Sequence, residues 1–232
     1  MSTGINRTTL REWREHPEIS INRRAACPRC ADRPTLPEPH ADYAYLLGLY
    51  LGDGCISRAG ARDNEVWKLR IICADAWPGL IRECERAIRS IRPGNKVGIQ
   101  QRPGCAEVSS YSRHWPCLFP QYGPGRKHLR TIELRPWQRI IVLGNPGTFA
   151  CGLFHSDGYR GINRVRRRLA DGDHWYEYPR YLFCNESGDI LRLCGETLDQ
   201  LEVAWRFSRR NAISVARREA VARLDEFVGP KY

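Results

Sequence analysis

Asp53 and Asp157 each terminate an apolar stretch and stand before a glycine, in Gly48-Leu49-Tyr50-Leu51-Gly52-Asp53-Gly54 and Gly152-Leu153-Phe154-His155-Ser156-Asp157-Gly158. From 53 to 157 the separation is 104 positions. Leu46, Leu47, Leu49 and Tyr50 in the first stretch, and Phe149, Leu153 and Phe154 in the second, give an apolar helix face. Each acid therefore falls at the carboxyl end of a helix, with Gly54 and Gly158 expected as left-handed closing residues. A helix carboxyl end is negative and repels a carboxylate by roughly 0.3–1 kcal/mol. A cation shared by two such ends offsets that cost. A single Asp-Gly after a buried helix reads as a turn; recurrence in a matching apolar context reads as a paired site.

The helices themselves carry the means of pairing. Gly48 and Gly52 are four apart, as are Gly152 and Ser156, so each helix has a shallow face on which a second backbone can approach closely. Side by side, two such helices bring both carboxylates to one spot.

Other features recur with the acids. Cys73 follows the apolar run Leu69 to Ile72 and precedes Leu80, Ile81 and Cys84; Cys184 follows Tyr181 to Phe183 and precedes Ile190, Leu191 and Cys194. Val108-Ser109 and Ile213-Ser214 lie at nearly the same distance beyond Asp53 and Asp157. Each half reads as a motif helix, two strands, a helix, two shorter strands and a closing helix. Strands are expected near 55–59, 66–73, 95–101 and 105–112, with helices over 77–91 and 188–201. Asp171-Gly172 marks a hairpin turn in the second half. The reading is an α+β chain divided into an arm (1–40) and two lobes (41–145 and 146–232).

At 232 residues and 42% hydrophobic content the chain can bury a proper core in each lobe. It shows neither a long apolar run nor a signal peptide, which implies a soluble, cytoplasmic protein with no membrane partner. Its ten cysteines lie mostly singly within apolar stretches, where a reduced thiol packs as a small core residue. A net charge of +11 points to a polyanion. Arg58, Arg62, Lys68 and Arg70 follow the first acid; Arg160, Arg164, Arg166, Arg167 and Arg168 follow the second. Strand alternation puts only part of such a set on one face. Cationic sheets can rest on phosphates and read base edges in the major groove. Duplex DNA is the expected partner, with Arg58, Arg62, Lys68, Arg70, Arg160, Arg164, Arg166 and Arg168 as candidate contacts.

In these residues the chain resembles the LAGLIDADG homing endonucleases, in the single-chain form with two motifs. Leu46 to Gly54 and Ala150 to Gly158 stand for the nine-residue signature, and the element order agrees with the family's duplicated αββαββα fold over roughly residues 41–228. The resemblance implies a monomer with an internal pseudo-twofold axis between the motif helices, two sheets forming a saddle over DNA, and Asp53 and Asp157 as ligands of Mg²⁺ (or Mn²⁺) that drives phosphodiester hydrolysis. Lys127, in Gly125-Arg126-Lys127-His128, stands where family members carry a basic residue that contacts the reacting phosphate. The second half shows no lysine at the corresponding point, Arg217 and Arg218 being nearest, so unequal active sites are expected. His155 replaces a small residue of the signature, where it would weaken the helix packing or face the DNA; Leu51 stands where the signature has an acid.

The amino-terminal arm differs in character. Gly4 to Arg14 looks like the turn and second helix of a helix-turn-helix that lacks its first helix. Cys27 and Cys30 form a lone CxxC, half of a zinc site, with His16 and His40 as the available further ligands. Three prolines between 34 and 39 stiffen the link to the first motif helix. Against the nuclease stand a catalytically inactive DNA-binding transcriptional regulator on the same fold and an RNA-maturation role; retention of both aspartates favours cutting.

Overall fold

The computed structural model describes residues 36–60, 65–169, 172–229 and 231. The helix-turn-helix-like segment, Cys27, Cys30, His16, Arg62 and Asp171 lie outside the described residues.

The first motif helix, α1 (His40–Asp53), runs directly into β1 (Gly54–Arg58), followed by β2 (Trp67–Ala74), α2 (Pro78–Ile91), β3 (Val97–Arg102) and β4 (Cys105–Ser112). A short α3 (Trp115–Leu118), a 3₁₀ turn (Lys127–Leu129) and α4 (Pro136–Gly144) lead to the second motif helix, α5 (Pro146–Asp157). Then come β5 (Gly158–Leu169), β6 (Gly172–Cys184), α6 (Gly188–Gln200), β7 (Arg206–Arg209), β8 (Ala212–Val215) and α7 (Arg218–Val228). The sheets have matching antiparallel orders, β1-β2-β4-β3 and β5-β6-β8-β7. The expected strands and helices fall within two residues of those observed, and the architecture is the two-lobed α+β fold read from the repeat. No described helix is long and apolar enough to cross a membrane.

Helix α1 is buried from Tyr43 through Leu51, because its sides are covered by α5, α2 and the first sheet. An all-round apolar helix is stable only in such an interior position. Helices α1 and α5 meet backbone to backbone: a β-carbon on Gly48 would stand 2.6 Å from Leu153 N and 2.7 Å from Phe149 O, and one on Gly152 would collide with Tyr45 O. The small residues at four-residue spacing therefore form the contact, as their size requires.

Two expectations are corrected. Gly54 and Gly158 are extended, with φ of −87° and −91°, and each begins a strand without a left-handed turn. Glycine is required there by crowding: a β-carbon on Gly54 would lie 2.5 Å from Tyr50 Cα, and one on Gly158 2.5 Å from Phe154 O. Cys73, Cys84 and Cys194 are buried thiols, but Cys184 is exposed at the end of β6, where the alternation has turned it away from the core.

Candidate active site and nucleic-acid interface

Helices α1 and α5 end side by side, and their carboxylates are electrostatically coupled. A β-carbon on Gly52 would meet Ser156 Oγ and stand 2.8 Å from Asp157 Oδ2, so Asp157 lies against the residue preceding Asp53. Asp53 reaches solvent, yet protein surrounds most of its approach. That desolvation, reinforced by the charge of Asp157, raises its pKa to about 6. Burial also raises Asp157, opposed by the hydrogen bond that Asn185 Nδ2 donates to Asp157 Oδ2 at 2.6 Å.

Lys127 sits beside this pair. Its ammonium donates to the last carbonyls of α1, at 2.5 Å to Tyr50 O, 3.0 Å to Leu51 O and 2.8 Å to Gly52 O, where the helix dipole favours a cation. Burial lowers its pKa to about 8 against the raising effect of both aspartates. The loop that presents it is pinned by Arg130, whose guanidinium donates to Gly123 O and, at 3.0 Å, to Pro124 O. A cavity of about 470 Å³ opens here, lined by Gly52, Lys127, Asp157 and Asn185 among others.

The second half does hold a matching lysine, which corrects the expectation of none. Lys231 donates to Ser156 O at 3.3 Å and to Gly158 O at 2.7 Å, at the end of α5. From 53 to 127 and from 157 to 231 the separations are both 74 positions. Arg217 and Arg218 instead begin α7. The equal offset was the signal in the sequence; it went unread because Lys231 follows the closing helix and carries no local pattern. Burial lowers Lys231, countered by Asp53 and Asp157.

Among the described residues no group of three or more His, Cys, Asp or Glu is placed to hold a metal ion. The carboxylate pair suits a hard divalent cation in donor type, but it is an incomplete shell, and oxygens from a bound phosphate would be needed to complete one. Burial and mutual repulsion of the two acids are the conditions that such a cation relieves.

Register decides which residues each sheet presents. Directly opposed residues share a face, and the core residues Ile71 and Val108 oppose each other, as do Phe183 and Ile213. The other face of the first sheet therefore carries Cys55, Ser57, Lys68, Arg70, Gln100, Arg102 and Tyr111. In the second sheet it carries Tyr159, Asn163, Val165, Arg167, Tyr178, Arg180, Arg206 and Ser214. Of the expected contacts, Lys68 and Arg70 are on this open face. Arg58, Arg160, Arg164, Arg166 and Arg168 have core-face parity, since Gly158 opposes Phe183 and Arg160 opposes Tyr181. Four of these are engaged: Arg58 lies over Trp67, Arg160 grips Asp225 of α7 through two 2.8 Å bonds, Arg164 lies over Trp175 and 3.4 Å from Glu177, and Arg166 pairs with Asp173. Arg102, Arg167, Arg180 and Arg206 were missed, because in the run Arg166-Arg167-Arg168 composition alone does not choose a parity; opposing the hairpin strands against buried Tyr181 and Phe183 would have chosen it. On the open face Arg180 Nε donates to Ser214 Oγ at 2.8 Å and Asn163 Nδ2 to Tyr178 OH at 2.7 Å. Buried Glu107 anchors Lys68 at 2.6 Å and Arg102 at 2.7 Å.

His155 lies neither on an open sheet face nor among the residues lining the cavity. It is buried between Tyr45 and the end of α7, so the substitution extends the helix contact with a polar link. Burial lowers its pKa, opposed by the bond to Val228 O.

The fold is that of LAGLIDADG homing endonucleases. Mesophilic variants of the homing endonuclease I-DmoI superpose with a TM-score of 0.50 at 16% identity, covering 83% of this chain and 98% of theirs. I-DmoI in complex with DNA and Mn gives 0.51 at 15%, covering 83% and 99%. The LAGLIDADG meganuclease I-AabMI bound to uncleaved DNA gives 0.50 at 12%, covering 80% and 82%. No family model and no curated protein matches the sequence.

Proposed function

We propose that the protein is a site-specific double-stranded DNA endonuclease of the LAGLIDADG homing type, acting as a monomer with two pseudo-symmetric lobes that divide near residue 145. The observation that carries this reading is the convergence of two helix ends, each with an aspartate and each joined by a lysine ammonium, in a chain whose open sheet faces are cationic. A pure binding module has no use for two coupled carboxylates against a polyanion, since each repels the backbone it must approach.

Asp53 and Asp157 would hold Mg²⁺ (or Mn²⁺), which when bound supplies Lewis-acid polarisation of a phosphoryl oxygen and an activated water. Lys127 and Lys231 place positive charge where charge develops on the phosphate in the transition state. Asn185 orients Asp157 by donating to Oδ2. Gly54 opposes Ile71 as Gly158 opposes Phe183, so by register the counterpart of Asn185 is Cys73, a buried thiol, and the centres differ even though both have a lysine. Unequal strand cutting therefore stays part of the proposal, resting on Asn185 and no longer on a missing lysine. Lys68, Arg70, Arg102, Arg167, Arg180 and Arg206 would meet phosphates and base edges, while Arg160 serves the fold.

Selection of bound sites from a random duplex library with Ca²⁺, then incubation of the selected DNA with Mg²⁺, tests the reading. Double-strand cutting that vanishes in Asp53→Asn and Asp157→Asn supports it. Specific binding without cutting by the wild type, with Mg²⁺ or Mn²⁺, replaces it with the regulator.

A further inference from the structure

The two lysines are held in place by different means. Lys127 belongs to a loop wrapped around Arg130, whereas Lys231 belongs to a tail beyond the last helix. That tail leaves α7 at Val228, and Gly229 adopts φ +63° and ψ 175°, a conformation glycine enters without steric cost. The last carbonyl before the bend, Val228 O, accepts a 2.9 Å bond from His155 Nε2, and Cys151 Sγ lies 3.6 Å from the same oxygen. A carbonyl only accepts, so Nε2 bears the proton and Nδ1 presents a lone pair. The Tyr45 hydroxyl donates to that Nδ1 at 2.9 Å.

The geometry points to His155 as a positioning residue that ties the carboxyl-terminal tail to the motif helices and so sets Lys231 at the end of α5. The chain of contacts runs from Tyr45 on α1, through His155 on α5, to Val228 and on to the lysine. Both ring nitrogens are committed, each to a different segment, and the ring is buried where water cannot substitute for either partner. No contact with DNA or metal is required of it. Only the strand-selective consequence rests on the nuclease reading; the position of the lysine is measurable without DNA.

Amine acetylation of the full chain, read by mass spectrometry at Lys231 with Lys127 as internal control, is the test. In the wild type both are protected by their carbonyl partners. His155→Ala is expected to raise labelling of Lys231 about tenfold, the size of a local opening made about 1.4 kcal/mol easier, and to leave Lys127 unchanged. His155→Gln, which keeps one donor and one acceptor, should restore protection. Equal labelling of Lys231 in wild type and a folded His155→Ala overturns the proposal. Should His155→Ala not fold, His155→Phe, which fills the space but donates nothing to Val228 O, takes its place: raised labelling of Lys231 supports the proposal and unchanged labelling overturns it. On a cleavable target His155→Ala should slow one strand far more than the other. A wild type that never cuts defeats the nuclease reading and leaves the labelling result to decide this one.

Discussion

Gly52 makes room for Asp157: a β-carbon at position 52 would stand 2.8 Å from Asp157 Oδ2 and press on the Ser156 hydroxyl. The acids sit together because the residue before one of them has no side chain. Gly52→Ala would bring a β-carbon to 2.5 Å from Ser156 Cβ, which the α5 backbone fixes, and should cost about 2 kcal/mol, whereas Gly48→Ala meets the α5 backbone itself and should cost about 3 kcal/mol or more. Denaturant titration of both variants checks the order, and Gly52→Ala should also lose most of the cleavage activity while folded.

Asp53→Asn removes an acid whose folded pKa, about 6, lies above its unfolded value. Such a group stabilises the fold below the unfolded pKa and loses that contribution as pH rises through about 6. The metal-free variant should therefore be more stable than wild type at neutral pH, by on the order of 1 kcal/mol after allowance for solvent screening, or about 2–4 °C in Tm. Calorimetry in a chelator checks this, and added Mg²⁺ should raise the Tm of wild type only.

The pH profile of kcat/KM should be bell-shaped, since it reports groups on the free enzyme. The acid limb, near 6, reflects loss of the Asp53 carboxylate; the alkaline limb, near 8, reflects loss of the Lys127 ammonium. Lys127→Arg keeps its charge at every working pH and should shift the alkaline limb upward. An unmoved limb removes Lys127 from that role.

Removing Lys231 separates the two centres. Lys231→Ala should nick a supercoiled target on one strand, and Lys127→Ala on the other, each slowing its strand about a hundredfold or more. Strand-labelled substrate identifies which bond is cut, and identical strand preference in the two variants contradicts the pairing.

The two arginine sets should behave differently. Arg167→Ala or Arg206→Ala on the open face should weaken DNA binding and lower its salt dependence, with little change in Tm. Arg160→Ala leaves Asp225 with the bond from the Tyr181 hydroxyl in place of three and should lower stability instead. Anisotropy titrations across salt concentrations, with melting curves alongside, distinguish them.

The sequence by itself determined the paired motif helices, their glycine contact face, the order of elements in each lobe and the cationic character of the strands. These are local properties: apolar period, side-chain size and turn residues act within a few positions and survive in any context the helices share. Only the tertiary structure decided which strand face is open, because a step of one residue in the reading reverses every side chain and the arginines alone carry no core to fix it. It also decided that Lys231 joins the second motif helix and that His155 binds Tyr45 and Val228, contacts spanning 75, 110 and 73 positions. The equal offsets of Lys127 and Lys231 from the two aspartates signal the first of these; nothing in the sequence announces the other two, which follow from where two packed helices and a closing one leave the chain.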